Sequence, residues 1–326
     1  MSHAFNNRRR TFACIAAALI LPVVAGLAHA AEKPIRIILP LSTGSTVDAV
    51  ARTMSGPLAK TSGHPVVVEN LPGAGGITGT TQIVRAPKDG LTLGMVSNNH
   101  VVNPSLYKTV PFDSIKDVTP ITVIGTSPFV LVVHQSVPAR NLQELIALAK
   151  SKPGVLNYGS SGNGTVLHLA AELLKSESGV DIKHIPYKGT GPMMTDLLGG
   201  QIQMAFTSAA VAAPHIKSGA IRPIGVTTKT RSVLLPDVPT FAEQGLKNYD
   251  FGGWIALIAP AGLPESVIGQ RFNEVNTALG TPEVREWLKA QDFTVVASPP
   301  AQTLSFFQSE LVKHTKLVKQ SGATVE

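Results

Sequence analysis

Short apolar runs alternate with amphipathic segments along almost the whole chain, and no other feature limits the fold as much. Ile35 to Leu41 reads as a buried strand; Val47, Val50, Ala51, Met54 and Leu58 then fall at helical spacing, with Gly63 as a stop. Pro65 to Glu69 predicts a second strand, followed by the loop Asn70 to Gly76 and a weaker helix to Arg85. Leu91 to Ser97 and Phe129 to His134 read as further strands. Asn141, with Glu144 three residues on, makes a capping pair ahead of a helix using Leu142, Leu145, Ile146 and Ala149. Strand-like runs follow at Ile182 to Tyr187, Gln201 to Phe206, Ile221 to Val226 and Trp254 to Ala259, with short helices between the first three. Three helical segments fill most of the C-terminus, broken at Phe293 to Ala297. Repeated β–α units predict an α/β protein with parallel or mixed sheets between layers of helices.

The second half restates the first: a strand, a loop of glycine and hydroxyl residues, then an amphipathic helix. LSTGSTVD (Leu41 to Asp48) mirrors YGSSGNGT (Tyr158 to Thr165). Two such loops predict two α/β lobes facing one cleft. Crossings near Val130 to His134 and Phe251 to Ile255 divide the chain into a discontinuous lobe, residues 31–130 and 252–326, and a second lobe, residues 131–251.

A helix N-terminus carries about half a positive charge, and its first N–H groups lack internal partners. The first loop offers Ser42, Thr43, Gly44, Ser45 and Thr46, with Asp48 in the first helical turn. There an acid pairs with the helix dipole more readily than with a ligand. The second loop offers Ser160, Ser161, Gly162, Asn163, Gly164 and Thr165. Taken singly, either loop is as well explained by a tight turn and an ordinary cap, with Thr165 a natural N-cap. Taken together, in matching places, they predict an anion site. Tyr187, Lys188, Gly189 and Thr190 close another strand and offer a cation and a hydroxyl to the same cleft, although on spacing alone Lys188 reads first as a solvated turn lysine.

Neither loop contains lysine or arginine, so the phosphate-cradling P-loop is excluded, and the dinucleotide pattern G-x-G-x-x-G fails in both. Amides and hydroxyls without a fixed cation suit a carboxylate. Several charge-assisted hydrogen bonds at ~1.5–3 kcal/mol each bring micromolar binding, ~8 kcal/mol, within reach after ordering costs. Catalytic patterns are poor. Gly159 to Asn163 lacks the last glycine of G-x-S-x-G, and His168 lies on a helix as a capping or core histidine. The nine histidines show no metal spacing, and no cofactor is expected.

The first thirty residues stand apart. Arg8, Arg9 and Arg10 precede an apolar stretch from Cys14 to Leu27, and Ala28-His29-Ala30 has the form of a cleavage site. This is a secretory signal peptide, predicting a periplasmic protein cut after about Ala30. Its removal lowers Lys+Arg from 28 to 25 against 21 acids, so the net charge falls from +7 to +4. The only basic run leaves with it, which argues against nucleic-acid binding. The single cysteine, Cys14, leaves too, so the mature chain has no disulfide.

Motifs spread over the mature chain carry a resemblance: KPIRIILP (33–40), VVVENLPGAGG (66–76), NPSLY (103–107), YGSSGNGTVLHL (158–169) and HIPYKGTGP (184–192). DLLGGQ (196–201), LPDVPTFAEQGL (235–246) and ALIAPAGLP (256–264) extend it. Together they resemble the substrate-binding proteins of tripartite tricarboxylate transporters, the TctC-like or Bug-type periplasmic receptors. The resemblance implies a two-lobed, Venus-flytrap architecture of type II-like periplasmic binding proteins. It implies a monomer that closes on a small carboxylate and docks on a membrane permease. In the family, loops matching Ser42 to Asp48 and Ser160 to Thr165 clasp the carboxylate through amides, hydroxyls and ordered waters.

Two departures from the family's pattern bear on the ligand. Its first loop usually reads P-F-x-P-G-G-x-x-D, whereas Pro40 to Asp48 has hydroxyl residues where a proline and the second glycine are expected. After the Gln201 to Phe206 strand the family often has an acid, and this chain has Thr207. Loss of a negative charge there favours a dianion over a ligand with an amino group. Titrating a dicarboxylate, an amino acid and an amide side by side tests this. Two other functions share these residues: a secreted serine hydrolase or esterase using Ser160 or Ser161, and a receptor feeding a sensor kinase.

Overall fold

The computed structural model describes residues 32–324, so the expected signal peptide lies outside the described residues. The first part of the chain forms β1 (Ile35–Leu39), α1 (Thr46–Ser62), β2 (Val66–Asn70), a 3-10 turn at Ala74–Gly76, α2 (Ile77–Val84), β3 (Thr92–Ser97) and α3 (Asn99–Leu106). A 17-residue strand, β4 (Val118–His134), leads to α4 (Leu142–Ser151), β5 (Asn157–Ser160), α5 (Val166–Ser178), β6 (Lys183–Pro186) and α6 (Thr190–Leu198). Then come β7 (Met204–Ser208), α7 (Ala209–Lys217), β8 (Ile221–Val226) and β9 (Gly252–Pro260). The chain ends with α8 (Glu265–Leu279), α9 (Pro282–Ala290), β10 (Thr294–Val295) and α10 (Pro300–Ser321).

The strands follow one hydrogen-bonded path, β2-β1-β3-β9-β4-β7-β5-β6, with β8 and β10 also paired to β4. At one end β1 is parallel to β2 and β3; at the other β5 is parallel to β6 and β7. Long β4 joins the two groups. Its Val118–Pro128 segment runs antiparallel to β9, and Phe129–Val133 runs antiparallel to β7. The sequence pattern located only Phe129 to His134 of this strand. Pro120 and Pro128 break the expected pattern of a strand, and two register shifts against β9 accommodate the irregular part. Gly125 sits where a Cβ would lie 2.5 Å from the Thr294 carbonyl oxygen, so β10 can approach only a glycine.

Local signals explain the helices. The Ser45 hydroxyl accepts the Asp48 N–H (3.2 Å) at the start of α1, and left-handed Gly63 (φ 74°) closes it with an N–H to Ala59 O (3.1 Å). Asn141 and Glu144 cap α4 reciprocally. Asn141 Oδ1 accepts the Glu144 N–H (2.8 Å), while Glu144 Oε2 accepts the Arg140 N–H (2.7 Å). Helix α3 was not legible, because Pro104 lies inside its eight residues.

The apolar residues predicted on α1 pack with Ile37, Leu93, Leu257 and Leu279 around the β1–β3 group. Leu131, Tyr158, Leu169, Leu174, Phe206 and Phe241 form the corresponding core beside β5 and β7. Helix α10 packs Phe307 beside Trp254 and Val96 in a further cluster, and places Leu317 and Val318 within the second core. Among the described residues no helix is long and apolar enough to cross a membrane.

Candidate functional site: an uncharged cleft at five helix N-termini

In a parallel β–α unit, each helix begins at the carboxyl edge of the strand before it. Five such junctions meet here: β1 to α1, β3 to α3, β5 to α5, β6 to α6 and β7 to α7. They surround a cleft of about 450 Å³ to which Ser45 and Thr46, Asn98 and Asn99, Thr165 and Val166, Thr190, and Ser208 contribute in turn. Ser97, Ser127, Ser161 and Thr207 add polar groups, and Phe129, Trp254, Ile255, Phe293 and Val211 form an apolar wall. None of the described residues lining the cleft carries a formal charge.

Side chains cap the helices unequally. Ser45 caps α1, and the Ser208 hydroxyl accepts the Val211 N–H (3.4 Å) at α7. The Thr165 hydroxyl instead donates backward to Gly162 O (2.8 Å), leaving the first turn of α5 without a side-chain cap. Helix α6 begins at Gly189, which has no side chain to cap with. At α3 the Asn98 amide is spent on β9, donating to Gly252 O (3.1 Å) and accepting the Trp254 N–H (3.0 Å). Three helix ends therefore bring uncapped first-turn N–H groups to the cleft, where partial positive charge collects. Thr207 adds a different signal: it is fully buried, lines the cleft, and its hydroxyl has no protein partner. A buried hydroxyl without a partner costs about 1–3 kcal/mol, a cost that a ligand acceptor removes.

The residues singled out in the sequence divide into two groups. Gly44, Ser45, Thr46, Ser161, Thr165 and Thr207 line the cleft. Asp48 lies behind it and shapes the first loop. Its carboxylate accepts from Gly44 N (3.0 Å), Arg52 Nε (2.9 Å) and Asn70 Nδ2 (3.0 Å). The Arg52 and Gly44 bonds hold the Asp48 carboxyl at about 2 against its burial. Ser42 and Thr43 are exposed and are not among the lining residues. In the second loop Asn163 donates to Thr324 O (3.0 Å). Gly162 (φ 142°) and Gly164 (φ 72°) supply the turn, and a Cβ on Gly164 would meet Leu106 at 2.5 Å. The Tyr187 hydroxyl donates to Asp196 (2.8 Å), and Lys188 is exposed; neither lines the cleft.

Ser160 ends β5 rather than lying in the loop, and it is fully buried. Its Oγ lies 2.6 Å from His184 Nε2, a spacing seen in nucleophile–base pairs. The hydroxyl also lies 2.9 Å from Gly162 O, to which it can donate while the imidazole donates to Ser160 Oγ. Sequence reasoning missed Ser97, Asn98, Asn99, Ser127 and Ser208, and did not give Thr190 a ligand role of its own. Ser97-Asn98-Asn99 following a strand repeats the motif of the two loops a third time, and Thr207-Ser208 repeats it a fourth.

An α/β fold with a ligand-sized cleft at the carboxyl edges of two parallel strand groups is that of a periplasmic solute-binding protein. A family model described as the tripartite tricarboxylate transporter family receptor, TctC, matches residues 50–323, and the chain belongs to that family. It is 34% identical to protein BugT of Bordetella pertussis over 296 residues, 90% of this chain and 91% of that one. Among solved structures it is similar to an R. palustris protein determined with adipate: TM-score 0.78, 30% identity, 90% of this chain and 99% of that chain covered. It is also similar to MatC from Rhodopseudomonas palustris with bound malate: TM-score 0.74, 29% identity, 88% and 99% covered.

Proposed function

We propose that this protein is an exported receptor that clasps a small dicarboxylate between two lobes and delivers it to a membrane permease. The convergence of uncapped helix N-termini on a cleft without formal charge is the observation that carries this reading. Residues 31–130 and 252–326 make one lobe and residues 131–251 the other. Ser127 to Phe129 and Gly252 to Trp254 are the segments that flex between them. One carboxylate sits against α5 and α6 with the Thr207 hydroxyl, and the other against the α1 and α3 ends, across the apolar wall. The adipate and malate found in relatives are dicarboxylates with short spacers, in keeping with a cleft that is polar on both sides. Closure follows from the ligand's higher affinity for the closed state. Export relies on the N-terminal signal, cut after about Ala30. No catalytic step is assigned to Ser160 or Ser161.

A thermal-shift panel of the mature protein tests the reading, with mono-, di- and tricarboxylates compared with the matching diamides and amino acids. A dicarboxylate at a hundred times its dissociation constant stabilises by about 2.7 kcal/mol. Diamides, lacking charge, leave the melting temperature unchanged. Equal shifts for acid and diamide would remove the electrostatic basis of the proposal.

A further inference from the structure

Beneath the second loop lies a stack of rings that the clasp does not use directly. His168 of α5 and His184 of β6 lie face to face, with centroids 3.9 Å apart and planes 8° apart. Tyr158 of β5 lies beside both rings, its centroid 4.9 Å from that of His184 and 6.3 Å from that of His168. Each imidazole holds one part of the loop. His168 Nδ1 accepts the Gly164 N–H (3.0 Å), and His184 Nε2 lies 2.6 Å from Ser160 Oγ, which in turn donates to Gly162 O (2.9 Å). Gly162 and Gly164 flank Asn163 between the cleft residues Ser161 and Thr165.

We infer that His168 and His184 are positioning residues that make ligand affinity depend on the protonation of their stack. The inference rests on the loop's role in the receptor reading above. A proton on Nδ1 of His168 would set N–H against N–H at Gly164 and push the loop out of its clasping shape. A proton on His184 would place a cation 3.9 Å above its neighbour. The clasping state therefore requires a neutral pair, and an added proton works against it.

The charged surroundings are few. On α5, Glu172 Oε1 faces His168 Nε2 at 3.7 Å and accepts from Lys175 Nζ and the Tyr158 hydroxyl, both at 2.8 Å. Burial opposes charge on Glu172, yet His168, Lys175 and Tyr158 hold its carboxyl at about 2. The carboxylate thus stays ionised beside His168. Strand β7, also packed on α5, has no ionisable side chain, and no ion pair links α10 to the stack among the described residues. Tyr249 donates its hydroxyl to Ala170 O of the same helix. Burial, then the neighbouring His168, push His184 down to about 4, the direction that favours the neutral form in the folded protein. Its contribution to the native state is complete above the ordinary imidazole value near 6.5 and is lost as pH falls from there through about 4.

The experiment measures adipate affinity from pH 7.5 to 3.5, through the value of about 4 for His184, for wild type, His168→Leu and His168→Asn, with the Gly164 amide followed by NMR over the same range. Asparagine offers an Oδ1 acceptor in place of Nδ1 but does not titrate. Wild-type affinity should fall by about tenfold per pH unit once the stack titrates. His168→Leu should lose affinity at every pH, and His168→Asn should recover much of it with a shallower profile than wild type, the remaining slope coming from His184 and the ligand's own titration. A wild-type profile no steeper than that of His168→Asn overturns the inference. Should adipate fail to bind at any pH, the receptor reading fails for this ligand, and the Gly164 amide then decides. A resonance that follows imidazole protonation in wild type but not in His168→Asn supports the coupling, and one that does not move refutes it.

Discussion

A Thr190→Asp variant is expected to be slightly more stable than the wild type and to lose dicarboxylate binding by about 200-fold. The two effects have opposite signs because they come from the same helix end. Helix α6 has a glycine at its N-cap and no acid in its first turn. A carboxylate placed there meets the positive end of the dipole and contributes about 0.3–1 kcal/mol to folding. Thr190 also lines the cleft, so the new charge competes with the ligand for those N–H groups. Two like charges on the order of 5 Å apart at an effective dielectric near 20 repel by about 3 kcal/mol, which is the predicted loss. Chemical denaturation and calorimetric titration of the same preparation check both signs. Binding retained within a few-fold would mean that α6 does not face the ligand's charge.

Thr207→Val should separate function from stability in a second way. The two side chains have nearly the same shape, so the packing around β7 is preserved while the unpartnered hydroxyl is removed. Relieving a buried polar group of its missing partner leaves the ligand-free melting temperature unchanged or raises it. The bound state loses a hydrogen bond to a charged acceptor, about 1.5–3 kcal/mol, so affinity falls by roughly 10- to 150-fold. A variant that melts lower and binds equally well would show that Thr207 is a packing residue whose hydroxyl is incidental to the ligand.

These two positions illustrate what the sequence discloses. Ser45 and Thr165 were legible because each sits where a strand pattern gives way to a helix pattern, and local spacing is enough to find such a junction. Thr207 was singled out through the family resemblance rather than from local spacing, and Thr190 occupies an equivalent junction; what both contribute depends on the sheet order that brings β6 and β7 beside β5 and places their carboxyl edges opposite those of β1 and β3. No local pattern encodes that order. The functions of Asp48 and Ser160 were hidden for a related reason. Each faces away from the cleft, Asp48 toward Arg52 and Asn70, Ser160 toward His184, and partners 4 to 24 residues distant decide the direction. The uncapped state of α5 was likewise beyond reach, since Thr165 has the right residue type for a cap and spends its hydroxyl on Gly162 instead. The wall of Phe129, Trp254 and Phe293 comes from three distant stretches, and only β4 and β9 running antiparallel through the centre bring the first two together.

On the proposed reading, helix ends in the cleft take the place of a lysine or arginine in holding the anion. Each helix end is worth less than a fixed cation, but five converge, and an uncharged lining leaves no competing ion pair to be broken as the ligand enters and leaves. A receptor that must release its cargo gains from that moderation.

A crystal structure of the mature protein with adipate would show whether helix ends and the Thr207 hydroxyl hold the ligand. One carboxylate is expected within hydrogen-bonding distance of the Thr207 hydroxyl and the first-turn N–H groups of α5 or α6, and the other at the ends of α1 or α3. Adipate paired instead with lysine or arginine side chains outside the cleft, with the Thr207 hydroxyl still unpartnered, would contradict it.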